Sequence, residues 1–236
     1  MRKHLQLKDD EGVPASLLFI MACMAAVSVA NIYYCQPLLS LMGNDLSIDE
    51  WRASLIAMIT QVGYACGLFF IIPSGDKFDR KKIVSYSFSI LTIALLCIAL
   101  SNNFHAVMAA SFAVGACSVM PQIFIPIAAQ YSRPEKKGAN VGLIVSGLLT
   151  GILASRVISG LVGEWLGWRS MYVIAAIVMP LCTLIVWRIM PYTENNYTGS
   201  YKRLMHSLFA LIREYKLLRI CALRAAFAFG SFLALW

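Results

Sequence analysis

Residues 51–100 read WRASLIAMITQVGYACGLFFIIPSGDKFDRKKIVSYSFSILTIALLCIAL. Two apolar runs, near 52–72 and 83–101, flank a short polar loop at 73–82 that carries four basic residues. An apolar run of about 20 residues is long enough to cross a lipid bilayer as an α-helix. This stretch therefore predicts two membrane helices that are joined by a tight loop on one side of the membrane.

The same alternation continues along the chain. Of its 236 residues, 59% are hydrophobic and 14% are charged, whereas about 25% of the residues in soluble domains are charged. Further apolar runs lie near 16–42, 105–130, 140–163 and 169–190. This composition excludes a disordered chain and a disulfide scaffold and argues against an enzyme. It predicts an all-α multi-pass membrane protein with six complete spans. The seven cysteines occur singly, without metal-ligand spacing, so we expect neither a metal site nor a cofactor.

The basic residues are distributed unevenly between the two sides of the predicted bundle. Sixteen of the 20 Lys and Arg residues lie in the N-terminus and in segments 73–82, 131–139 and 188–219. The intervening loops contain only Arg52 and Arg169. Because cytoplasmic loops are enriched in Lys and Arg, this asymmetry predicts a cytoplasmic N-terminus. It also accounts for the net charge of +8 through anionic lipid headgroups, without a nucleic-acid partner.

The C-terminal part differs from the six spans. We expect a bundle at 1–190, a cytoplasmic linker at 191–219 and an incomplete seventh span at 220–236. Within the linker, leucines recur every three or four residues among basic residues over 201–218. This spacing predicts an amphipathic helix at the membrane surface.

The loop between the second and third spans places an acidic residue close to several basic ones. Asp76 is followed by Lys77, Arg80 and Lys81. Its carboxylate can reach these side chains or a facing helix N-terminus, where the helix dipole favours negative charge. A contact that forms in one conformation and breaks in another suits a gate. The alternative is an ordinary basic membrane loop.

This loop resembles the motif G-x-x-x-D-R/K-x-G-R-R/K, which lies between helices 2 and 3 in the major facilitator superfamily. The four residues named above match it, whereas Ile72 and Asp79 stand where the motif has glycine. Gly167-Trp168-Arg169, at the start of the sixth span, is also usual in that superfamily. The segment ANIYYCQP at 30–37 resembles the first helix of a bacterial branch of presumed efflux transporters.

The resemblance implies a carrier with twelve helices in two six-helix halves that bind a small-molecule substrate between them. This chain would then be the N-terminal half, truncated in the seventh helix, of a bacterial inner-membrane exporter that works by alternating access. Its missing C-terminal half is an expected partner, and the loop residues would form the gate. Two alternatives stay open: a truncated remnant that does not transport, and a membrane interaction protein.

Prolines occur in two spans that occupy equivalent places. If 16–101 and 105–190 are two three-helix repeats, each repeat begins with a proline-containing helix: Pro37 lies in the first span, and Pro121 and Pro126 lie in the fourth. Proline leaves a carbonyl without its intrahelical donor, which a membrane tolerates only beside protein or a cavity. Interrupted helices in corresponding positions indicate the binding site of a transporter.

Polar side chains near these prolines are the predicted lining of a substrate path. They are Asn31, Tyr34 and Gln36 in the first span and Gln122 in the fourth. Arg156 joins them, because a charge inside a span is costly unless it faces a cavity or a partner. It would recognise an anionic or carbonyl-bearing substrate. The alternatives are hydrogen bonding between helices for the neutral side chains, and snorkelling or pairing with Glu164 for Arg156. No carboxylate lies in this predicted path, so proton coupling stays open and would need an acidic group in the other half.

The fifth span carries small residues at every fourth position. They are Gly147, Gly151, Ser155, Ser159 and Gly163. Such a stripe lets two helix backbones approach closely. It predicts a helix-packing seam.

Overall fold

The structure of this chain, a computed structural model, describes residues 12–190, 199–217, 219–221 and 223–224. The described part is helical, and no strand occurs in these ranges. The helices are α1 (Ala15–Tyr33), α2 (Cys35–Asp45), α3 (Glu50–Lys77), α4 (Arg80–Leu100), α5 (Phe104–Cys117), α6 (Pro121–Tyr131), α7 (Lys137–Leu166), α8 (Trp168–Ile189) and α9 (Tyr201–Glu214), with one turn of 3₁₀ helix at Pro134–Lys136.

Six of the described helical stretches are long and apolar enough to cross a membrane. They are Ala15–Asp45, Glu50–Lys77, Arg80–Leu100, Phe104–Tyr131, Pro134–Leu166 and Trp168–Ile189. These stretches match the six predicted spans, so the prediction of an all-α six-span bundle is confirmed.

The predicted loop at 73–82 is mostly helical, so that boundary was wrong. Helix α3 continues through Pro73 to Lys77, and α4 begins at Arg80. In the last turn of α3, after Pro73, the Ser74 hydroxyl donates to the carbonyl of Ile71 at 2.5 Å and the Phe78 N–H donates to the carbonyl of Ser74 at 2.8 Å. Asp76 therefore lies in the last turn of α3, and only two residues separate the two helices.

The first and fourth spans are both interrupted, as their prolines predicted. The first breaks at Tyr34, and the fourth breaks over residues 118–120, directly before Pro121. The Gln122 N–H turns to the carbonyl of Val119, which leaves the Ser118 carbonyl without its usual helical donor. The Ser28 hydroxyl donates to that carbonyl at 3.2 Å. The interruption of one span is thus satisfied by the other span, as the membrane interior requires.

Small residues bring the helices together in two close pairs. In the pair α1–α7, a Cβ built on Gly147 would lie 2.5 Å from the Ala22 carbonyl oxygen, and one on Gly151 would overlap the backbone of Ala26. Further along the predicted seam, Ser155 and Ser159 are buried, and Gly163 lies against the side chain of Leu38 on α2.

The pair α3–α5 uses glycines that sequence reasoning did not single out. A Cβ on Gly63 would meet the Phe112 carbonyl, and one on Gly67 would meet the Ala116 carbonyl. Gly115 lies equally close to the Thr60 carbonyl on α3. The remaining close pair is α4–α8. In the predicted repeats, the first, second and third spans are α1–α2, α3 and α4 in one repeat and α5–α6, α7 and α8 in the other. The first span of each repeat therefore packs on the second span of the other, and the two third spans pack on each other.

The segment from residue 199 forms a compact unit of its own. Helix α9 covers most of the stretch predicted to be amphipathic, with Lys202, Arg203 and Arg213 exposed. The basic N-terminus at 1–11, the first part of the linker at 191–198 and nearly all of the predicted seventh span at 220–236 lie outside the described residues.

Candidate functional site

One cluster of predicted site residues surrounds Arg80 at the end of the bundle where α3 meets α4, here called the Arg80 end. Asp79 caps α4 by accepting the backbone N–H of Lys81 at 3.0 Å, which fixes Arg80 in the first turn. The Arg80 residue is 7% exposed. Its Nε donates to the Gly75 carbonyl at 3.3 Å, and its Nη1 donates to Oε1 of Gln130 at 3.3 Å.

The ion pair in this cluster is long. Arg80 Nη2 lies 3.8 Å from Oδ1 of Asp76, whose side chain is 56% exposed. Lys77 lies over the ring of Phe78, with its Nζ 5.3 Å from the ring centroid, and Lys81 is buried. The structure therefore places Asp76 and Arg80 together and connects them to α6 through Gln130, a partner that sequence reasoning missed.

Two further pairs of polar and aromatic side chains connect α6 with α3 and α7 with α1. Gln122 on α6 donates through Nε2 to the hydroxyl of Tyr64 on α3 at 3.4 Å. The Arg156 guanidinium on α7 lies over the ring of Tyr33 on α1, 5.5 Å from its centroid. The two pairs, Gln122 with Tyr64 and Arg156 with Tyr33, are here together called the tyrosine bridge.

The tyrosine bridge lies at an open face of the bundle. Arg156 is exposed, and the other three side chains are half-buried. Arg156 forms no ion pair with Glu164 in the described part of the chain, and its guanidinium lies over the ring of Tyr33. A cation over a tyrosine ring is held by the ring quadrupole and still presents N–H donors at its edge. The arrangement can therefore bind an anionic or carbonyl-bearing group.

The other predicted path residues do not belong to these two pairs. Asn31 is 2% exposed; its Nδ2 donates to the Val27 carbonyl at 2.8 Å and lies 3.6 Å from the sulfur of Met179 on α8. Tyr34 is buried and Gln36 is half-buried. The placement of Asn31 favours contact between α1 and α8. Tyr33 and Tyr64 were missed, although Tyr64 is the only tyrosine in the second span.

A third cluster lies at the opposite end, here called the Arg169 end. Gly167, with a φ of +81°, ends α7 and starts α8 without a loop, which places Trp168 and Arg169 in the first turn of α8. Arg169 Nη2 and Nε contact Oδ2 of Asp45 at 2.8 and 3.1 Å. The indole Nε1 of Trp168 donates to the same oxygen at 3.1 Å.

Arg169 also holds the segment after α4. Its Nη1 donates to the carbonyls of Ala99 and Ser101 at 3.0 and 2.8 Å, and its Nη2 donates to Oδ1 of Asn102 at 2.8 Å. The guanidinium lies 4.3 Å from the Trp168 ring centroid. One side chain therefore connects the ends of α2, α4 and α8.

Comparison with known sequences identifies the family. The family model of the Major Facilitator Superfamily matches residues 18–236 of this chain. The chain belongs to the major facilitator superfamily. It is 35% identical over 230 residues to the uncharacterized transporter YgaY of Escherichia coli O157:H7, covering 97% of this chain and 58% of that protein. It is 32% identical over 236 residues to a probable transporter of Streptomyces coelicolor, covering 100% of this chain and 55% of that protein.

Solved structures of transporters show the same fold. A bacterial homolog of the human lysosomal transporter Spinster, in an inward-facing and unoccupied conformation, superposes with a TM-score of 0.67 at 16% identity, covering 85% of this chain and 48% of that one. A peptide transporter in complex with sulfate gives a TM-score of 0.67 at 18% identity, covering 94% and 48%. The chain thus spans a little over half the length of the curated relatives it matches.

Proposed function

We propose that this chain is one six-helix half of a secondary transporter that moves a small molecule across the bacterial inner membrane. Membership of a superfamily of carriers supports transport rather than enzymatic catalysis. In this proposal, a second half of similar size completes the carrier, and substrate binds between the halves. The tyrosine bridge carries the proposal, because polar and aromatic side chains pair between helices inside predicted spans and the charged member, Arg156, is exposed.

The Arg80 end is the cytoplasmic side in this proposal. The asymmetry of basic residues between the two ends supports that orientation, because the 133–137 segment and Arg188 lie on the same side as Arg80. Alternating access requires contacts that break and re-form. The 3.8 Å pair between Asp76 and Arg80 suits this requirement, and Lys77 and Lys81 would add positive charge to the same gate.

Arg156 is the proposed selectivity residue of the path. A guanidinium with free N–H edges can bind an anionic or carbonyl-bearing substrate. Gln122 and the hydroxyls of Tyr33 and Tyr64 would add neutral hydrogen bonds beside it. Outward transport is the proposed direction; a relative that is 22% identical over 157 residues is named as a probable sugar efflux transporter of Helicobacter pylori. If protons drive transport, the acidic group belongs to the second half.

Reconstitution in liposomes tests this proposal. The 236-residue chain is compared with the same chain joined to the part of YgaY that lies beyond the matched region. Matched small organic anions and neutral compounds are offered under an imposed pH gradient, and their accumulation is measured by mass spectrometry. We expect accumulation with the joined protein only. Flux through the 236-residue chain alone would contradict the need for two halves, and no flux through either protein would contradict transport.

The role of Arg156 is tested in the joined protein. Arg156→Met should lower anion flux about tenfold or more, because a lost charge-assisted hydrogen bond of about 1.5–3 kcal/mol corresponds to that change. Arg156→Lys keeps the charge and is the matched control, with neutral compounds as the second control. Equal anion flux in the methionine and wild-type proteins would remove Arg156 from the path.

A further inference from the structure

A groove on the outer surface of the bundle lies between α4 and α8. Its volume is about 460 Å³, and it is open to the surroundings of the bundle. Its walls are formed by Ser89, Thr92 and Ile93 on α4 and by Thr183, Leu184 and Trp187 on α8. Pro180 also borders the groove, at a point where the missing N–H weakens the ladder of α8. The groove belongs to neither the tyrosine bridge nor the two arginine clusters.

The hydroxyl groups in the groove are already satisfied. Ser89 donates to the Ser85 carbonyl at 2.9 Å, Thr92 to the Phe88 carbonyl at 2.8 Å, and Thr183 to the Met179 carbonyl at 3.0 Å. Each bond is made to the preceding turn of the same helix, so the donors do not point to an occupant. The groove therefore offers an apolar surface, which fits a hydrocarbon chain better than a polar metabolite.

The groove comes nearest to the Arg80 end of the bundle at Ser89 and Trp187. At a rise of about 1.5 Å per residue, Ser89 lies about 13 Å along α4 from Arg80, and Trp187 lies about 3 Å from the end of α8. Lys82, Tyr86, Ser89 and Ile93 follow one another at four- and three-residue spacing, so they share a face of α4. The α4 wall of the groove thus continues outward to a tyrosine and then to a lysine.

The α8 wall ends in the same way. Arg188 follows Leu184 by four residues, and a helical side chain leans back towards the N-terminus, here towards the groove. Both Lys82 and Arg188 are exposed, and neither forms an ion pair in the part of the chain that the structure describes. Tyr86 and Trp187 are 69% and 62% exposed. Exposed aromatic rings beside basic side chains are typical of the level of the lipid headgroups.

We propose that this groove is a binding site for an anionic phospholipid of the surrounding bilayer. One acyl chain lies between α4 and α8, and the headgroup phosphate is held by Lys82 and Arg188. Basic pockets between membrane helices bind anionic headgroups in this way. Because the groove runs along the surface where α4 and α8 pack on each other, the lipid would support their packing at the Arg80 end.

Native mass spectrometry of the purified 236-residue chain tests the site. Phosphatidylglycerol and phosphatidylcholine with identical acyl chains are added in equal amounts. Each basic side chain near a membrane surface contributes about fivefold to the binding of anionic lipid, so wild type should retain phosphatidylglycerol about thirtyfold better. Lys82→Gln with Arg188→Gln should abolish this preference. Lys136→Gln with Lys137→Gln removes the same charge at the same end, away from the groove, and should keep it.

Filling the groove tests where the acyl chain lies. Thr92→Phe should reduce retention of both lipids, and Ser89→Leu provides a second variant on the same wall. Equal retention of phosphatidylglycerol by the two double variants would overturn the proposal, as would equal retention of both lipids by wild type. Undiminished lipid retention in both groove-filling variants would show that the acyl chain does not lie in the groove. If wild type were dimeric in the same spectra and the groove-filling variants lost the dimer but kept the lipid, the groove would instead be occupied by a second copy of the chain.

Discussion

Two arginines occupy comparable positions at opposite ends of the bundle. Arg80 lies in the first turn of α4, and Arg169 lies in the first turn of α8. A cation in a first turn is on the unfavourable side of the helix dipole, so each needs compensation. Both find it at the last turns of neighbouring helices, where carbonyls lack intrahelical donors. Arg80 donates to the Gly75 carbonyl near the end of α3, and Arg169 donates to the Ala99 carbonyl near the end of α4.

The two clusters differ in how closely they hold their partners. Arg169 makes its contacts at 2.8–3.1 Å and shares the Asp45 carboxylate with Trp168. Arg80 makes its hydrogen bonds at 3.3 Å and its ion pair at 3.8 Å. Short charge-assisted bonds are about twice as strong as neutral ones and weaken as they lengthen. In the proposed gate, the same device would fix one end of the bundle and leave the other able to open.

The largest effect is expected from Arg169→Gln. The substitution removes the ion pair with Asp45 and leaves the carbonyls of Ala99 and Ser101 without their donor. With both side chains of the pair partly exposed, at 30% and 48%, we expect a loss of about 2–3 kcal/mol in the free energy of unfolding. Thermal unfolding of the purified chain, followed by circular dichroism, measures it.

The control for this substitution is Arg52→Gln. Arg52 forms a 3.5 Å pair with Asp49, with side chains 62% and 65% exposed, and should contribute less than about 0.5 kcal/mol. If the two glutamine variants unfolded at the same temperature, Arg169 would not hold the helix ends together.

A smaller effect is expected from Asp45→Asn. The amide oxygen can still accept from Trp168 and Arg169, but the bonds are no longer assisted by a negative charge. We expect a loss of about 1.5 kcal/mol, because charge assistance roughly doubles the strength of a hydrogen bond. Asp49→Asn, an exposed acid near the same end, is the control in the same unfolding assay. A loss as large as that of Arg169→Gln would mean that Asp45 carries the whole cluster.

The parts of this comparison that sequence reasoning found are those set by local chemistry. Apolar length placed the six spans, and Pro37 and Pro121 marked the interruptions, because both signals act within one helix. The predicted loop at 73–82 is wrong in extent, because α3 continues through Pro73 to Lys77. Polar composition indicates that a loop is near, but it does not fix the residue at which a helix ends.

The partners of the two arginines were beyond sequence reasoning for a different reason. Asp45 and Arg169 are 124 residues apart, and Arg80 and Gln130 are 50 apart. Their meeting depends on the packing of α1 on α7 and of α3 on α5, through glycines such as Gly151 and Gly115. The same dependence hid the contact between Tyr33 and Arg156. Residue types and spacing can nominate such a side chain, but they cannot assign its partner.

Arg80→Gln should cost less than Arg169→Gln, although Arg80 is more deeply buried. The variant loses bonds of 3.3 Å to Gly75 and Gln130 and a 3.8 Å pair. We expect about 1 kcal/mol, at the level of a single ordinary hydrogen bond. Arg80→Lys, which keeps the charge but not the fork of donors, is the matched variant and should recover only part of the loss. A loss of 3 kcal/mol in the glutamine variant would show that this end is as fixed as the other.

The smallest effect is expected from Asp76→Asn. The Asp76 side chain is 56% exposed and lies 3.8 Å from Arg80, so its pair should contribute less than about 0.5 kcal/mol to the free energy of unfolding. A double-mutant cycle sharpens the comparison, because it isolates the interaction between two side chains from their other contacts. Asp76→Asn with Arg80→Gln should show coupling below about 0.5 kcal/mol, whereas Asp45→Asn with Arg169→Gln should show about 1 kcal/mol or more. Equal coupling at the two ends would mean that the difference in distances has no energetic counterpart, and the Arg80 end would then have no advantage as the end that opens.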